Sequence, residues 1–170
     1  STQGYSSAAS DVYKRQVVTS PFADKTGLNI NVIKKLQDIV AAGNGFSYLK
    51  DKEISLHELV KYPLICLKNT TTTRNYLDHI FRQHNLLLRP DIELTSINFV
   101  MPMVKNNLGI GFMQYATTKA EIEAGNIFRV NTKEQIPPRS ICAVTASQYE
   151  TPEPVQRFID SLLEKESVNI

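Results

Sequence analysis

From Val17 onward the chain alternates short apolar runs with segments whose apolar residues recur at helical spacing. Short runs rich in β-branched residues are typical of buried strands, and apolar residues three and four apart are typical of helices that bury one face. Alternation of the two favours a layered α/β fold. The expected strands are VVT, YPLICL, DIELT, LGIGFM, NIFRV and RSICAVTA, and the expected helices are SLHELV, RNYLDHIFRQH, SINFVMPMVKNN, TTKAEIEAG and PEPVQRFIDSLLEKE. Pro102 is expected to bend the third helix, because proline removes a backbone hydrogen bond.

Residues 32–42, with the sequence VIKKLQDIVAA, fit two structures. Val32, Leu36 and Ile39 have helical spacing, which favours a helix. The β-branched content suits a strand equally well. The residues alone leave both alternatives open.

The Leu-Gly-Ile-Gly corner at residues 108–111 raises the question of a phosphate-binding loop. A dinucleotide fingerprint requires a strand, then G-x-G-x-x-G, then a helix. Here a helix precedes the glycines and a strand follows them, so a phosphate would meet the partial negative charge of a helix C-terminus. We therefore interpret the corner as structural, with Gly109 at positive φ where the helix ends and Gly111 allowing close packing.

Composition excludes several function classes. The length of 170 residues fits one compact domain or two small lobes. The net charge of +2 is slight and the 19 basic residues are scattered, which gives no reason to expect nucleic-acid contact. No apolar run approaches the roughly 18 residues of a membrane span, and no signal peptide opens the chain. Cys66 and Cys142 lie in apolar runs, which predicts buried free thiols and a reducing, cytoplasmic location.

Side chains with catalytic or metal-binding potential form no persuasive set. His79 and His84 are five residues apart, which places them on different faces of one helix. Neither H-E-x-x-H nor C-x-x-C spacing occurs, and neither cysteine has a visible base nearby. The sequence therefore predicts no catalytic residue, no metal site and no cofactor.

The first 16 residues differ in character from the rest. The hexapeptide DVYKRQ, residues 11–16, is the direct translation of GAT GTG TAT AAG AGA CAG, which resembles the transposon-end sequence used to tag DNA fragments for sequencing. The preceding residues are polar and Ser-rich, a composition that favours disorder. We interpret residues 1–16 as a non-native, disordered segment joined to the gene fragment at Val17.

Hydroxyl-bearing residues follow three of the expected strands. In open α/β sheets the ligand crevice lies outside the carboxyl ends of the strands, where hydroxyls and helix N-termini suit a small polar anion. The same residue types also cap helices, and Thr73 and Ser96 are the expected caps. The candidate ligand-binding residues are Thr19, Ser20, Asn69, Thr70, Thr71, Thr72, Thr95 and Ser96.

Taken in order, these segments resemble the effector-binding domain of LysR-type transcriptional regulators. No single motif is specific, but the ordered set, from Val17 to about Glu164, covers nearly all of the chain outside residues 1–16. The stretches that carry the resemblance are VVTSPF, ISLHELVKYPLICLKNTTTTRNYLDHIF, IELTSINFVMPMVKNNLGIGFM, EIEAGNIFRV, IPPRSICAVTA and PEPVQRFIDSLL.

The resemblance implies an α/β fold similar to type 2 periplasmic binding proteins: two lobes with mixed sheets, joined by two crossover strands, with an effector in the cleft between them. Residues 32–130 would form the second lobe, and residues 17–31 with 131–166 an incomplete first lobe. On this basis residues 32–42 become crossover strand rather than helix.

The resemblance also assigns roles. Thr19 and residues 69–73 match two of the three places from which the family contacts its effector, a small polar or anionic molecule. The third place, the family's winged helix-turn-helix and its linker helix have no counterpart here. DNA binding is therefore expected only of the parent protein, which would form a homodimer or tetramer through helices such as RNYLDHIFRQH and have no membrane partner.

Two other classes share this scaffold. A periplasmic-type solute-binding protein for a small anion would need a secretion signal or lipid anchor. An enzyme would need a catalytic base in the cleft, and the sequence shows none.

Overall fold

The computed structural model describes residues 16–19 and 26–167. The interpretation of residues 1–16 as non-native therefore falls almost wholly outside the described part, and Gln16 itself begins the first strand, opposite Val144. In chain order the elements are β1 (Gln16–Thr19), β2 (Leu28–Leu36), β3 (Asp38–Gly43), a 3₁₀ segment (Asn44–Leu49), β4 (Glu53–Ile54), α1 (Leu56–Leu59), β5 (Leu64–Leu67), α2 (Thr72–Gln83), β6 (Ile92–Leu94), a second 3₁₀ segment (Ile97–Phe99), α3 (Val100–Lys105), β7 (Ile110–Gln114), α4 (Tyr115–Glu123), β8 (Ile127–Thr132), β9 (Arg139–Ala146) and α5 (Glu153–Ser167).

These elements form two compact units. One comprises the described residues up to Lys35 and from Arg139 onward, and the other is Leu36–Pro138. The first unit holds a three-stranded sheet of order β1-β9-β2, in which β1 runs antiparallel to β9, together with α5. On α5 the apolar residues are unequally covered, since Ile159 is buried whereas Phe158 is 57% exposed.

The second unit is built on a six-stranded mixed sheet of order β4-β8-β3-β7-β5-β6. The strands β5, β6 and β7 run parallel to one another, and β3 runs antiparallel to both β7 and β8. Asp38, the first residue of β3, lies opposite Gln114, the last residue of β7. One edge of the sheet therefore collects the carboxyl ends of β5, β6 and β7, and we call it the carboxyl edge.

Residues 32–42 are strand, which confirms that alternative over the helix. The segment is not one strand, however, because β2 and β3 belong to different sheets and the chain breaks pairing at Gln37. The side-chain amide of Gln37 donates to the backbone oxygens of Asp38 and Ile136, each at 2.9 Å. This amide ties the segment before β3 to the segment after β8.

The core of the second unit lies on both faces of its sheet. On one face Phe81 of α2 packs edge-on against Phe112 of β7, with ring centroids 5.9 Å apart. On the other face Val100 and Val104 of α3 pack with Met113. Pro102 does not cost α3 a hydrogen bond as expected, because it lies in the first turn, where backbone N–H groups have no helical partner.

The glycine corner is structural, as the sequence predicts, but the roles differ in part. Asn107, not Gly109, adopts positive φ (61°) after α3. Gly109 is required for space instead, since a Cβ there would lie 2.7 Å from the backbone oxygen of Pro63. A Cβ on Gly111 would lie 2.7 Å from Val104 Cγ2, which confirms the predicted close packing. Gly125 adopts φ 74° just after α4, at the end of the expected helical segment TTKAEIEAG.

Candidate effector-binding site

Two of the predicted hydroxyl-bearing segments lie side by side at the carboxyl edge. Leu67, the last residue of β5, is opposite Leu94, the last residue of the parallel strand β6. The N–H of Lys68 donates to the backbone oxygen of Leu94 at 2.9 Å, which extends this pairing one residue further. Residues 69–72, the threonine loop, and Thr95 with Ser96 therefore leave the sheet at adjacent positions.

Within the threonine loop the hydroxyl groups have different structural roles. Thr71 caps α2: its Oγ1 accepts from the N–H of Arg74 at 3.2 Å and donates to the backbone oxygen of Lys68 at 2.8 Å. The cap is thus Thr71, and the expectation of Thr73 was wrong, because the helix begins two residues earlier. Thr70 and Thr72 are exposed, so their side chains are accessible to a ligand.

Thr95 and Ser96 also differ in role, since Thr95 is accessible to a ligand and Ser96 is a helix cap. Ser96 is half-buried and its Oγ accepts from the N–H of Asn98 at 3.3 Å, which confirms the predicted cap. Thr95 is exposed directly after β6. Among the predicted residues at this edge, those with exposed hydroxyl-bearing side chains are therefore Thr70, Thr72 and Thr95.

Helix N-termini make the carboxyl edge electropositive. The helix α2 follows β5 and α4 follows β7, so both point their N-terminal ends at this edge. In α2 the backbone N–H groups of Thr72 and Thr73 precede the first intrahelical bond, from Asn75 to Thr71. Gln114 at the start of α4 provides no side-chain cap. Such ends carry partial positive charge and favour anions.

A buried arginine holds the two strand ends together, a feature that sequence reasoning missed. Arg74 is 6% exposed. Its Nη1 donates to Glu93 Oε1 at 2.7 Å and to the backbone oxygen of Leu67 at 3.2 Å, and its Nε donates to Asp78 Oδ1 at 2.9 Å. Burial opposes the charge, but the hydrogen bonds to Glu93 and Asp78 outweigh it and raise the pKa of the guanidinium. The only sequence signal is the position of Arg74 three residues before Leu77, on the buried side of α2.

Not every predicted residue joins this group. Asn69 lines a separate pocket of about 230 Å³ that also includes Arg74 and Asp78. Thr19 is the last residue of β1, but its side chain and all of Ser20 lie outside the described part of the structure. Their role in binding stays a prediction.

A second pocket, of about 270 Å³, opens beside the start of β3 and the end of β8. Its polar lining includes Gln37, Asp38, Arg129, Thr132 and Gln135. No sequence pattern indicates this pocket, because residues 37–38 and 129–138 meet only once β3 and β8 pair. It adds a guanidinium and two amides to the groups near the carboxyl edge.

Within residues 16–19 and 26–167 no three His, Cys, Asp or Glu side chains come together as a metal site. In that same part of the chain, no helix has both the length and the apolar character needed to span a bilayer.

The two α/β units have the fold of the type 2 periplasmic-binding-protein kind, as the sequence predicts. The chain belongs to the LysR substrate binding domain family, whose model matches residues 17–167. This match confirms the predicted resemblance and favours a regulatory domain over the alternative, a periplasmic-type solute-binding protein.

One curated relative matches about half of this chain. The HTH-type transcriptional activator CmpR of Synechocystis sp. is 29% identical over 90 residues, which are 52% of this chain and 30% of that protein. The chain thus matches less than a third of the length of that relative.

Two solved structures share the fold. The regulatory domain of Synechocystis PCC6803 CcmR, in complex with 2-PG, has a TM-score of 0.75 at 17% identity, covering 92% of this chain and 74% of that one. The effector-binding domain of QuiR, in complex with shikimate, has a TM-score of 0.69 at 17% identity, covering 88% and 70%. At this identity the likeness concerns the fold.

Proposed function

We propose that this chain is the effector-sensing domain of a LysR-type transcriptional regulator and that it binds a small polar or anionic molecule at the carboxyl edge. Thr70, Thr72 and Thr95 would donate hydrogen bonds to the ligand, and Thr19 and Ser20 stay predicted ligand-binding residues. The domain performs no chemistry on the ligand.

One observation carries the proposal: the pairing of Leu67 with Leu94 places the threonine loop next to Thr95. Exposed hydroxyls, unpaired N–H groups of α2 and the N-terminus of α4 then share one edge of the sheet. A carboxylate or phosphate accepts hydrogen bonds from such groups, and the helix ends favour its charge. The two structural relatives are in complex with the small effectors 2-PG and shikimate, which supports a small-molecule effector here.

The remaining parts of the proposal concern the whole regulator. DNA binding would belong to a separate helix-turn-helix domain, as the name of the Synechocystis relative suggests. The regulator would act in the cytoplasm as a homodimer or tetramer, and the buried cysteines Cys66 and Cys142 fit a reducing compartment. Effector binding would shift the population of arrangements of the DNA-bound oligomer.

The test is a thermal-shift panel on the purified chain with small carboxylates, phosphate esters and polar uncharged compounds. We expect a subset of the acids to raise Tm in a concentration-dependent way, since a ligand that binds only the folded state stabilises it. A panel in which none of these compounds raises Tm would contradict the proposal.

A further inference from the structure

The chain reverses direction sharply after α2. Asn85 adopts φ 57°, in the left-handed region, and its N–H donates to the backbone oxygen of Arg82 at 3.0 Å. The N–H of Leu86 donates to the backbone oxygen of Phe81 at 2.9 Å, which completes a helix-ending turn. The turn sends the segment that follows back along the side of α2.

The returning segment is fixed to α2 by the buried arginine. Arg74 Nη2 donates to the backbone oxygen of Leu88 at 3.0 Å. Arg74 also donates hydrogen bonds to Asp78 and Glu93, so its guanidinium is fixed in position between α2 and this segment. The pocket of about 230 Å³ lies here, and Arg82 of α2 and Arg89 of the returning segment both line it.

The arginines that line this pocket outnumber its carboxylates. Arg74 is neutralised by Asp78 and Glu93 at hydrogen-bond distance. Arg82 and Arg89 are exposed, and neither has a carboxylate partner among the described residues. Asn69 adds a side-chain amide to the lining. Two positive charges therefore face a pocket whose one acidic lining residue is already paired.

We propose that this pocket, which we call the arginine pocket, binds a small oxyanion through Arg82, Arg89 and Asn69. Guanidinium groups present planar forks of N–H donors that match carboxylate and phosphate oxygens. The volume is below the roughly 300–1,000 Å³ typical of sites for drug-sized ligands, so it suits an anion of the size of phosphate or a short carboxylic acid.

The arginine pocket is distinct from the proposed effector site, because the exposed hydroxyls of Thr70, Thr72 and Thr95 do not line it. The two sites are connected in the chain, since Asn69 is the first residue of the threonine loop. Binding in the arginine pocket therefore holds one end of that loop. The two proposed binding sites can be tested independently, because each has its own residues and its own variants.

The experiment is a titration of the 170-residue chain with inorganic phosphate, and separately with malonate, at constant ionic strength kept with NaCl. Tm is followed for the wild type, Arg82→Gln/Arg89→Gln and the matched control Arg157→Gln, which removes an exposed arginine from α5 outside the pocket. We expect saturable stabilisation of the wild type and control, and an increase of about tenfold or more in the half-saturating concentration for the double variant.

Stabilisation by phosphate alone or by both anions supports the proposal and distinguishes a phosphate site from a general oxyanion site. Equal responses from all three proteins, or none from the wild type, would overturn it. Both arginines are exposed, so the variants should fold, and far-UV circular dichroism checks this. The single variants Arg82→Gln and Arg89→Gln replace the double variant if it fails that check, each with a smaller expected effect.

Discussion

Leu67 and Leu94 lie opposite each other at the ends of two parallel strands, and this pairing decides where the candidate site lies. The two residues are buried only in part and have no chemistry of their own. Because they end β5 and β6 at the same level, the threonine loop and Thr95 emerge together. The proposed effector site thus follows from the register of the sheet.

Arg74 should be essential for the stability of this edge. Replacing it by Met leaves the carboxylate of Asp78, which is 15% exposed, without its partner. We expect the free energy of unfolding to fall by about 2–4 kcal/mol, less than for a fully buried pair because Glu93 is 43% exposed. Urea denaturation measures the change. Glu93→Gln is the control and should cost less than about 1 kcal/mol, and equal losses in both variants would contradict the bridging role.

Thr71 should act mainly through its cap. Thr71→Ala removes the acceptor for Arg74 N–H and the donor to Lys68, so we expect a loss of about 1 kcal/mol in the free energy of unfolding. Thr71→Ser keeps both hydrogen bonds and should recover most of the loss. Thr73→Ala is the matched control. If the Thr73 variant were the more destabilised one, the cap would have been assigned to the wrong residue.

The two corner glycines should differ in their tolerance of alanine. In Gly109→Ala the new Cβ meets the backbone oxygen of Pro63, which also accepts from Ile110 N–H at 2.8 Å. In Gly111→Ala it meets methyl groups of Val104 and Val100, which have some freedom to move. We expect a loss of about 1–3 kcal/mol for Gly111→Ala and a larger one for Gly109→Ala.

A double variant checks the cause of the Gly111→Ala effect. Val104→Ala removes the methyl group that the new Cβ would meet, so Gly111→Ala/Val104→Ala should cost less than the sum of the two single variants. Simple additivity, measured by denaturant unfolding, would mean that the crowding arises elsewhere.

Cys66 should make stability depend on pH in the alkaline range. Burial raises the pKa of its thiol from 9.0 to about 12. Below pH 9 the thiol is protonated in both the folded and the unfolded chain. Above pH 9 the unfolded chain releases the proton and the folded one holds it, so stability falls between pH 9 and 12, with a slope of up to about 1.4 kcal/mol per pH unit.

The Cys66→Val variant isolates this contribution from lysines and tyrosines that titrate in the same range. Valine retains an apolar side chain of similar size, so the difference between wild type and variant reports the thiol alone. We expect the wild type to lose stability more steeply above pH 9, measured by urea unfolding at several pH values. Parallel curves would show that Cys66 titrates normally.

The sequence predicted much of this fold because apolar spacing and capping residues act locally. The strands β5 to β8, the close packing at Gly111 and the cap at Ser96 all follow from residues a few positions apart. The break at Gln37 and the positive φ of Asn107 could not be predicted, because they depend on which strands pair and what lies next to them.

The candidate site was likewise predictable only in part. Hydroxyls at strand ends are visible in the sequence, but their neighbours are set by register. Arg74 reaches Glu93, 19 residues away, only after β5 and β6 align. The arginine pocket and the pocket at Arg129 likewise depend on turns and pairings that bring distant segments together. The predicted contacts of Thr19 and Ser20 stay untested.

The most direct test of the effector site is a ¹H–¹⁵N NMR titration with the acid that stabilises the chain most in the thermal-shift panel. We predict that the largest shifts fall on residues 70–73, 95–97 and 115–117, at the carboxyl edge. Thr72→Val/Thr95→Val should weaken binding about tenfold or more, since each lost hydrogen bond contributes about 1 kcal/mol, whereas Ser47→Ala, at the opposite edge of the sheet, should not. Shifts centred on residues 44–49, or equal affinity in all three proteins, would contradict the account.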